Sequence, residues 1–281
     1  MSRVADAICG LIAETSSSLP EDVERALASA LKREKRGSGA AVVLKTVLAN
    51  CAKARTAGTP LCQDTGTLTF FVDDRLRRRV TRRVVEDAVR MATKNGMLRK
   101  NCIDSVDGRS YDDNVCAGAP VIHYMAPADP SSRPSVTLLM KGGGSENMSR
   151  QYSLPDAALG AGRDLAGVRR CVLDAVAAAR GYGCAPGILG VCVGGDRATG
   201  FETAKEQLLR PLGDRSPVPA LAKLERTLLV ESNSLGIGPM GLGGRTTLLG
   251  VKLAARPRVP ASFFVTVAYM CWACRRRTLV M

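Results

Sequence analysis

The chain has 281 residues, 46% of them apolar, which suffices for one large domain or two modest ones with full cores. Its 40 basic residues against 26 acidic ones give a net charge of +14, which suits an anionic partner. Aromatics make up only 4% and the densest arginine run, Arg75 to Arg83, contains none, so a base-stacking reader of nucleic acid is not expected. That run reads instead as a solvated helix face. The longest uncharged stretch near the C-terminus, Val259 to Cys274, is short and carries Ser, Thr and Pro, so no membrane span is expected. The first residues lack the apolar run of a signal peptide. A cytoplasmic location follows as the expectation, with the ten cysteines kept reduced as metal ligands or buried filler.

In chain order, the first sixty or so residues read as helices. Pro20-Glu21-Asp22 starts one, Val23, Leu27 and Leu31 repeat at helical spacing, and Gly37 stops it. A second covers Ala41 to Ala57 and ends at Gly58. Thr67 to Val72 is β-branched and aromatic, as strands are, and Val84 to Asn95 returns to helical spacing. Strands are predicted at Pro120–Met125, Val136–Met140, Ile188–Val193, Thr246–Leu253 and Ser262–Met270. Helices are predicted at Leu165–Arg180, Glu202–Leu209 and Pro219–Glu231. The fold class is therefore mixed α/β: a helical lead-in over 1–60 and a sheet-containing body over 61–281, treated as one domain.

Three cysteines stand out by their surroundings. Cys62 follows a Gly-Thr-Pro-Leu turn in Cys62-Gln63-Asp64-Thr65-Gly66. Cys184 sits between Gly183 and Ala185-Pro186-Gly187, and Cys271 closes an apolar strand in Cys271-Trp272-Ala273. Junctions of this kind let a bulky inorganic cluster approach the backbone, and thiolates are the ligands iron–sulfur clusters require. Two glycine-rich stretches, Lys141-Gly142-Gly143-Gly144-Ser145 and Gly236 to Gly244, can offer backbone amides to an anion. Neither has the spacing of a Walker loop or a dinucleotide fingerprint, so a phosphate-bearing cofactor is not expected.

Together these segments, with Met97-Leu98-Arg99, Leu209-Arg210-Pro211-Leu212 and Leu235-Gly236-Ile237-Gly238-Pro239, resemble the class I fumarate hydratase and L(+)-tartrate dehydratase family, in its α subunit or N-terminal half. The resemblance runs over nearly the whole chain and implies the N-terminal domain fold of class I fumarases. It implies a 4Fe-4S cluster held by Cys62, Cys184 and Cys271, with a fourth iron left open to substrate. It makes Asp64 the acid–base residue and Gln63 a hydrogen-bonding neighbour of a small dicarboxylate. Arg99 becomes a carboxylate clamp, and Gly142 and Gly143 amide donors to the other carboxylate. The chain ends soon after Cys274 where single-chain members continue, so a separate β subunit and a hetero-oligomer are expected. One departure is notable: Val259 stands where the family often carries a substrate-contacting His, and the chain's sole histidine is His123.

The wording of the Lys141 loop resembles the fumarase branch, and the Cys-Trp-Ala-x-Arg-Arg ending resembles the tartrate branch. Hydration of fumarate to malate leads, with tartrate dehydration as the alternative. Readings of other classes are a zinc-stabilised nucleic-acid-binding protein or a thiol oxidoreductase built on Cys271-x-x-Cys274, and a non-catalytic scaffold. The zinc reading lacks a second ligand pair, and the redox motif lies too close to the C-terminus for a thioredoxin-like unit.

Overall fold

A computed structural model describes residues 3–127 and 129–281. The chain divides into two compact units, one comprising residues 1–20, 49–143 and 273–281, the other 21–48 and 144–272.

The first unit is built on a four-stranded sheet in the order β2-β1-β3-β8. These strands are β1 (Thr67–Asp73), β2 (Val121–Met125), β3 (Ser135–Lys141) and β8 (Arg275–Val280). β1 pairs parallel with β2 and antiparallel with β3, and β8 lies antiparallel to β3. Helices α1 (Arg3–Ser17) and α4 (Arg82–Lys94) pack against each other over this sheet. α4 forms because Val85, Ala88, Val89 and Ala92 recur at i, i+3, i+4 and i+7, which puts all four on one buried face. Thr81 caps it by accepting the Val84 N–H, and the chain leaves at Asn95–Gly96. Ile8, Ile12, Phe70, Val72, Leu138 and Met140 complete the core, each full burial contributing roughly 1.5–3 kcal/mol.

The second unit carries a sheet in the order β4-β7-β5-β6, from β4 (Arg150–Ser153), β5 (Gly187–Gly194), β6 (Leu248–Arg256) and β7 (Phe264–Met270). β5 is buried along its whole length, which explains its unbroken apolar reading where an exposed face would alternate. Helix α7 (Arg197–Gln207) packs on β5, β6 and β7, while α6 (Leu165–Ala179) touches β7 and α8 (Pro219–Ser234). α8 in turn covers β6, and α2 (Glu21–Arg33) also reaches β6. Asp164 and Asp196 start α6 and α7 by accepting their first free amides. Two further helices, α3 (Gly39–Ala57) and the short α5 (Gly143–Asn147), complete the set.

The predicted mixed α/β class is what the structure shows, with three helices ahead of the first strand. Three elements differ from the sequence reading. β8 forms from Arg275-Arg276-Arg277-Thr278-Leu279-Val280, a segment whose arginine triplet gives it no apolar strand pattern. β4 is too short and polar to announce itself. The Arg75–Arg83 run is a 3-10 turn and a bend before α4, with only Arg82 and Arg83 on the helix. Arg75 there forks onto the Asp73 carboxylate and the carbonyls of Pro130 and Ser132, and Arg77 stacks over Tyr124.

Candidate active site and cluster ligands

In the first unit the Cys62–Gly66 loop leads into β1. Cys62 is half-buried, Gln63 exposed and Asp64 half-buried. Thr65 is buried, and its hydroxyl oxygen accepts the Arg99 backbone N–H at 3.2 Å and the Asn101 side-chain amide at 3.3 Å. The first cysteine motif and the Met97-Leu98-Arg99 motif are thereby tied together. Arg99 itself is exposed.

Asn114 fixes the far side of the same segment. Its carboxamide oxygen accepts the backbone N–H groups of Asn101 and Cys102, both at 3.1 Å, while its nitrogen donates to the Arg99 carbonyl at 2.7 Å and the Thr93 hydroxyl at 3.0 Å. Asn114 adopts φ +60°, the left-handed conformation that Asn tolerates better than most residues. A cleft of about 360 Å³ opens between these elements, its wall including Asp64, Gly66, Asn101, Cys102, Asn114 and Gly143. Cys102 and Cys116 bring their sulfurs to 3.3 Å beside it. Burial, the hydrogen bond to Cys116 and nearby negative charge push the Cys102 thiol up to about 11.

Gly142 lies against Asp64: a Cβ there would stand 2.8 Å from Oδ2, inside van der Waals contact. A side chain at 142 would push that carboxylate aside. The Gly-rich stretch directly follows β3 and forms the short α5, with Gly143 exposed on the cleft wall.

In the second unit Cys184 and Cys271 are brought together. β5 begins at Gly187 and β7 ends at Met270, and the antiparallel register pairs Ile188 with Met270, so both cysteines leave the sheet at one end. The Trp272 N–H donates to the Cys184 carbonyl at 3.2 Å. Cys184 is exposed with φ +51°, and Cys271 is half-buried. The buried Tyr269 ring lies under this turn, and Gly183 and Gly187 pack so closely on it that neither could carry a side chain. Burial chiefly, then the charges of Cys271 and Cys184, raise the Tyr269 phenol far above its ordinary value. It is therefore a neutral hydroxyl beside two thiols.

The Gly236–Gly244 stretch, read as a possible anion cradle, uses its amides internally. Gly238, Gly241, Leu242 and Gly243 donate to the Thr247 hydroxyl and to carbonyls at 238, 239 and 237 respectively, and Met240 donates to the Ala185 carbonyl at 2.9 Å. Gly181 packs directly on Met240 and Gly241. The loop therefore braces the Cys184 turn.

The thiol chemistry fits an iron–sulfur cluster. Cys62, Cys184 and Cys271 all lie in loops and none is buried, whereas Cys51, Cys171, Cys192 and Cys274 are fully enclosed. Cys274, the other member of the Cys-x-x-Cys pair, accepts from Arg276 inside the first unit. Among the described residues no three His, Cys, Asp or Glu side chains converge on one point as a mononuclear metal demands. A cluster is held differently, with each thiolate on its own iron. His123 stacks on Phe71 at 5.3 Å within β2, and Val259 is 65% exposed on the β6–β7 connection.

Residues 5–280 match the family described as fumarate hydratase (Fumerase). The chain belongs to that family. It is 45% identical to a protein of Geobacillus stearothermophilus named as a class I fumarate hydratase, over 98% of this chain and 54% of that one. It is 32% identical to a Methanocaldococcus jannaschii protein named as an L(+)-tartrate dehydratase subunit alpha, over 98% of this chain and 96% of that one. With the L(+)-tartrate dehydratase subunit alpha of Escherichia coli K12 the identity is 29%, over 100% and 91%. The chain thus spans about half of the fumarase relative and nearly all of each dehydratase subunit. Among the described residues no helix is long and apolar enough to cross a membrane.

Thr65, Asn114, Tyr269 and Arg275 were not singled out from the sequence. Asn114 carried a faint signal, an Asn closing the Asp112-Asp113 turn. Thr65 and Arg275 sit within the Cys62–Gly66 and Cys-Trp-Ala-x-Arg-Arg segments, but their roles, like that of Tyr269, depend on tertiary partners.

Proposed function

We propose that this chain is the iron–sulfur α subunit of a cytoplasmic hydro-lyase that interconverts fumarate and malate, completed by a separate β subunit. The observation that carries the reading is the Asp64 cleft. The Asp64 carboxylate packs on Gly142, and the same loop is tied to the segment bearing an exposed Arg99. The 45% identity to a class I fumarase supports fumarate as substrate. That two relatives are named as α subunits supports a second subunit.

Dehydration of malate removes a proton from carbon and releases the hydroxyl as water. Asp64 takes or returns a proton at the substrate, reached across the cleft. Arg99 holds one substrate carboxylate through its planar fork, and Gln63 hydrogen-bonds the bound molecule without adding charge. Gly143 offers a backbone amide to the other carboxylate, while Gly142 keeps Asp64 in place. Cys62, Cys184 and Cys271 would hold a 4Fe-4S cluster, which would supply a Lewis-acid position for the substrate hydroxyl. Tartrate dehydration is the second reading, favoured by the two relatives named as α subunits.

The test is anaerobic co-expression with a candidate β subunit encoded alongside, followed by assays on fumarate, L-malate and L(+)-tartrate. Turnover of fumarate and malate above tartrate is expected. The reverse order selects the second reading, and inactivity of a stable, cluster-loaded complex refutes both.

A further inference from the structure

Cys102 and Cys116 differ from the other cysteines that the cluster does not use. Cys51, Cys171, Cys192 and Cys274 are buried, as structural thiols are. Cys102 and Cys116 are both half-buried, and their sulfurs approach to 3.3 Å. A disulfide would close that gap by about 1.3 Å. Each backbone is anchored on its own side. The Cys102 N–H donates to the Asn114 carboxamide at 3.1 Å, and the Cys102 carbonyl accepts the Tyr111 N–H at 2.8 Å. Cys116 and Ala119 exchange both backbone hydrogen bonds, at 3.0 and 3.1 Å. Two separately fixed segments thus present their thiols to each other. Cys116 is the outer one, since its Sγ also meets the Ala117 carbonyl at 3.7 Å in a solvent-exposed contact. Cys102 is the inner one and lines the Asp64 cleft together with Ile103 and Asn114. Between the pair the chain forms a closed hairpin, in which Ile103 bridges Ser110 and Asp104 accepts the Val106 and Asp107 amides. A bond between the sulfurs would therefore close a ring around part of the cleft wall.

We propose that Cys102 and Cys116 are a redox-active dithiol, oxidised by a low-molecular-weight disulfide such as oxidised glutathione to a Cys102–Cys116 bond that stiffens the cleft wall and weakens dicarboxylate binding. Cys116, as its thiolate, attacks one glutathione sulfur; a mixed disulfide forms and the first glutathione leaves as thiolate. Cys102, held protonated to about 11, is the poorer first nucleophile and takes the second step. It gives its proton to solvent and attacks the Cys116 sulfur; the internal bond forms, the mixed one breaks and the second glutathione leaves. Two electrons pass from the pair to the glutathione disulfide, and excess reduced glutathione runs the exchange backward. The bond draws Cys102 toward Cys116 and pulls on the segment that Asn114 holds, which includes the Arg99 carbonyl. The effect on binding rests on the dicarboxylate reading of the cleft, but the formation of the bond does not.

The experiment incubates the full-length chain anaerobically with oxidised or reduced glutathione, beside Cys116→Ser and Cys116→Ala. Trypsin cleaves after Arg109, between the two cysteines, so mass spectrometry sees the bond as two joined peptides. That crosslink should form in the wild type, disappear with reduced glutathione and be absent from both variants. The two cysteines are 14 positions apart, and closing that loop should raise the wild-type Tm by about 5 °C or more while leaving the variants unchanged. A lasting glutathione adduct on Cys116, crosslinks only to other cysteines, or an equal Tm rise in the variants overturns the dithiol. The second arm measures KM for L-malate in the cluster-loaded complex with its β subunit. Oxidation should raise KM several-fold in the wild type and leave it unchanged in Cys116→Ser. An unchanged KM in the crosslinked wild type, or an equal rise in the variant, overturns the control of binding. A complex inactive toward every dicarboxylate, with the crosslink and Tm rise intact, sinks the hydro-lyase reading and leaves the dithiol standing.

Discussion

Replacing Asn114 by alanine should loosen the whole wall of the cleft. Four hydrogen bonds end on that carboxamide, two accepted from the backbone of Asn101 and Cys102 and two donated to Arg99 and Thr93. At a net ~1 kcal/mol each they total about 4 kcal/mol, and alanine held at positive φ adds about 1 kcal/mol. Asn101 is exposed, so water recovers part of what its amide loses. A destabilisation of about 4 kcal/mol is the expected outcome. Asn114→Gly separates the two effects, because glycine accepts the left-handed backbone while losing the same bonds, and it should be milder by about 1 kcal/mol. Urea unfolding followed by circular dichroism measures both. The Arg99 carbonyl is one of the four partners, so KM for the dicarboxylate should rise in each variant while cluster absorbance stays. An Asn114→Ala chain within 1 kcal/mol of wild type, by the hydrogen-bond scale just used, would refute the staple. Equal losses for Ala and Gly would refute the conformational half of the reasoning.

Three further outcomes are expected. Serine at Cys62, Cys184 or Cys271 should abolish the visible absorbance of anaerobically loaded protein, while serine at Cys51, Cys171 or Cys274 should leave it; loss at Cys274 but not Cys271 would show the wrong member of the pair was chosen. Asp64→Asn should retain the cluster and lose most turnover, whereas Arg99→Lys should chiefly raise KM, since an ammonium lacks the two-pronged contact; wild-type kinetics in either removes that residue's role. Stability should fall between pH 9 and about 11 through Cys102. The unfolded thiol ionises from its ordinary value of 9.0, while the folded one, raised by burial and by Cys116, keeps its proton to about 11, so the unfolded state binds fewer protons in that window. Cys102→Ala should flatten this part of the Tm–pH curve, and an unchanged slope would contradict it.

Much of the architecture was legible because it rests on local pattern. α4 shows its buried face at helical spacing, and β1 and β5 announce themselves by β-branched, uncharged runs. What stayed hidden lies where a side chain's partner is distant in sequence. β8 buries Arg275 and Arg276, although arginine triplets ordinarily mark solvent, and its edge is satisfied by β3 from the middle of the chain. The Gly236–Gly244 stretch carries the composition of an anion cradle, yet its amides are taken by its own turn carbonyls and by Thr247 and Ala185. Composition can say that backbone donors are accessible in principle, but not which acceptor reaches them first.

The third cysteine segment shows how closely these demands are interleaved. From Tyr269 to Arg275 the chain leaves β7 and enters β8 within a few residues, and almost every one has a separate task. Tyr269 supports the glycines of the Cys184 turn, Cys271 emerges half-buried, and Trp272 ties back to the Cys184 carbonyl. Cys274 is fully enclosed, and Arg275 holds the Asp64 carbonyl. A Cys-x-x-Cys spacing read alone suggests two equivalent thiols serving one metal or one redox couple. Burial breaks that equivalence: one sulfur is accessible to an external ligand and the other is core. Swapping the two, by substituting Cys271 with alanine while retaining Cys274, should therefore not preserve a cluster, because reaching the enclosed thiol would require β8 to leave the sheet that buries it.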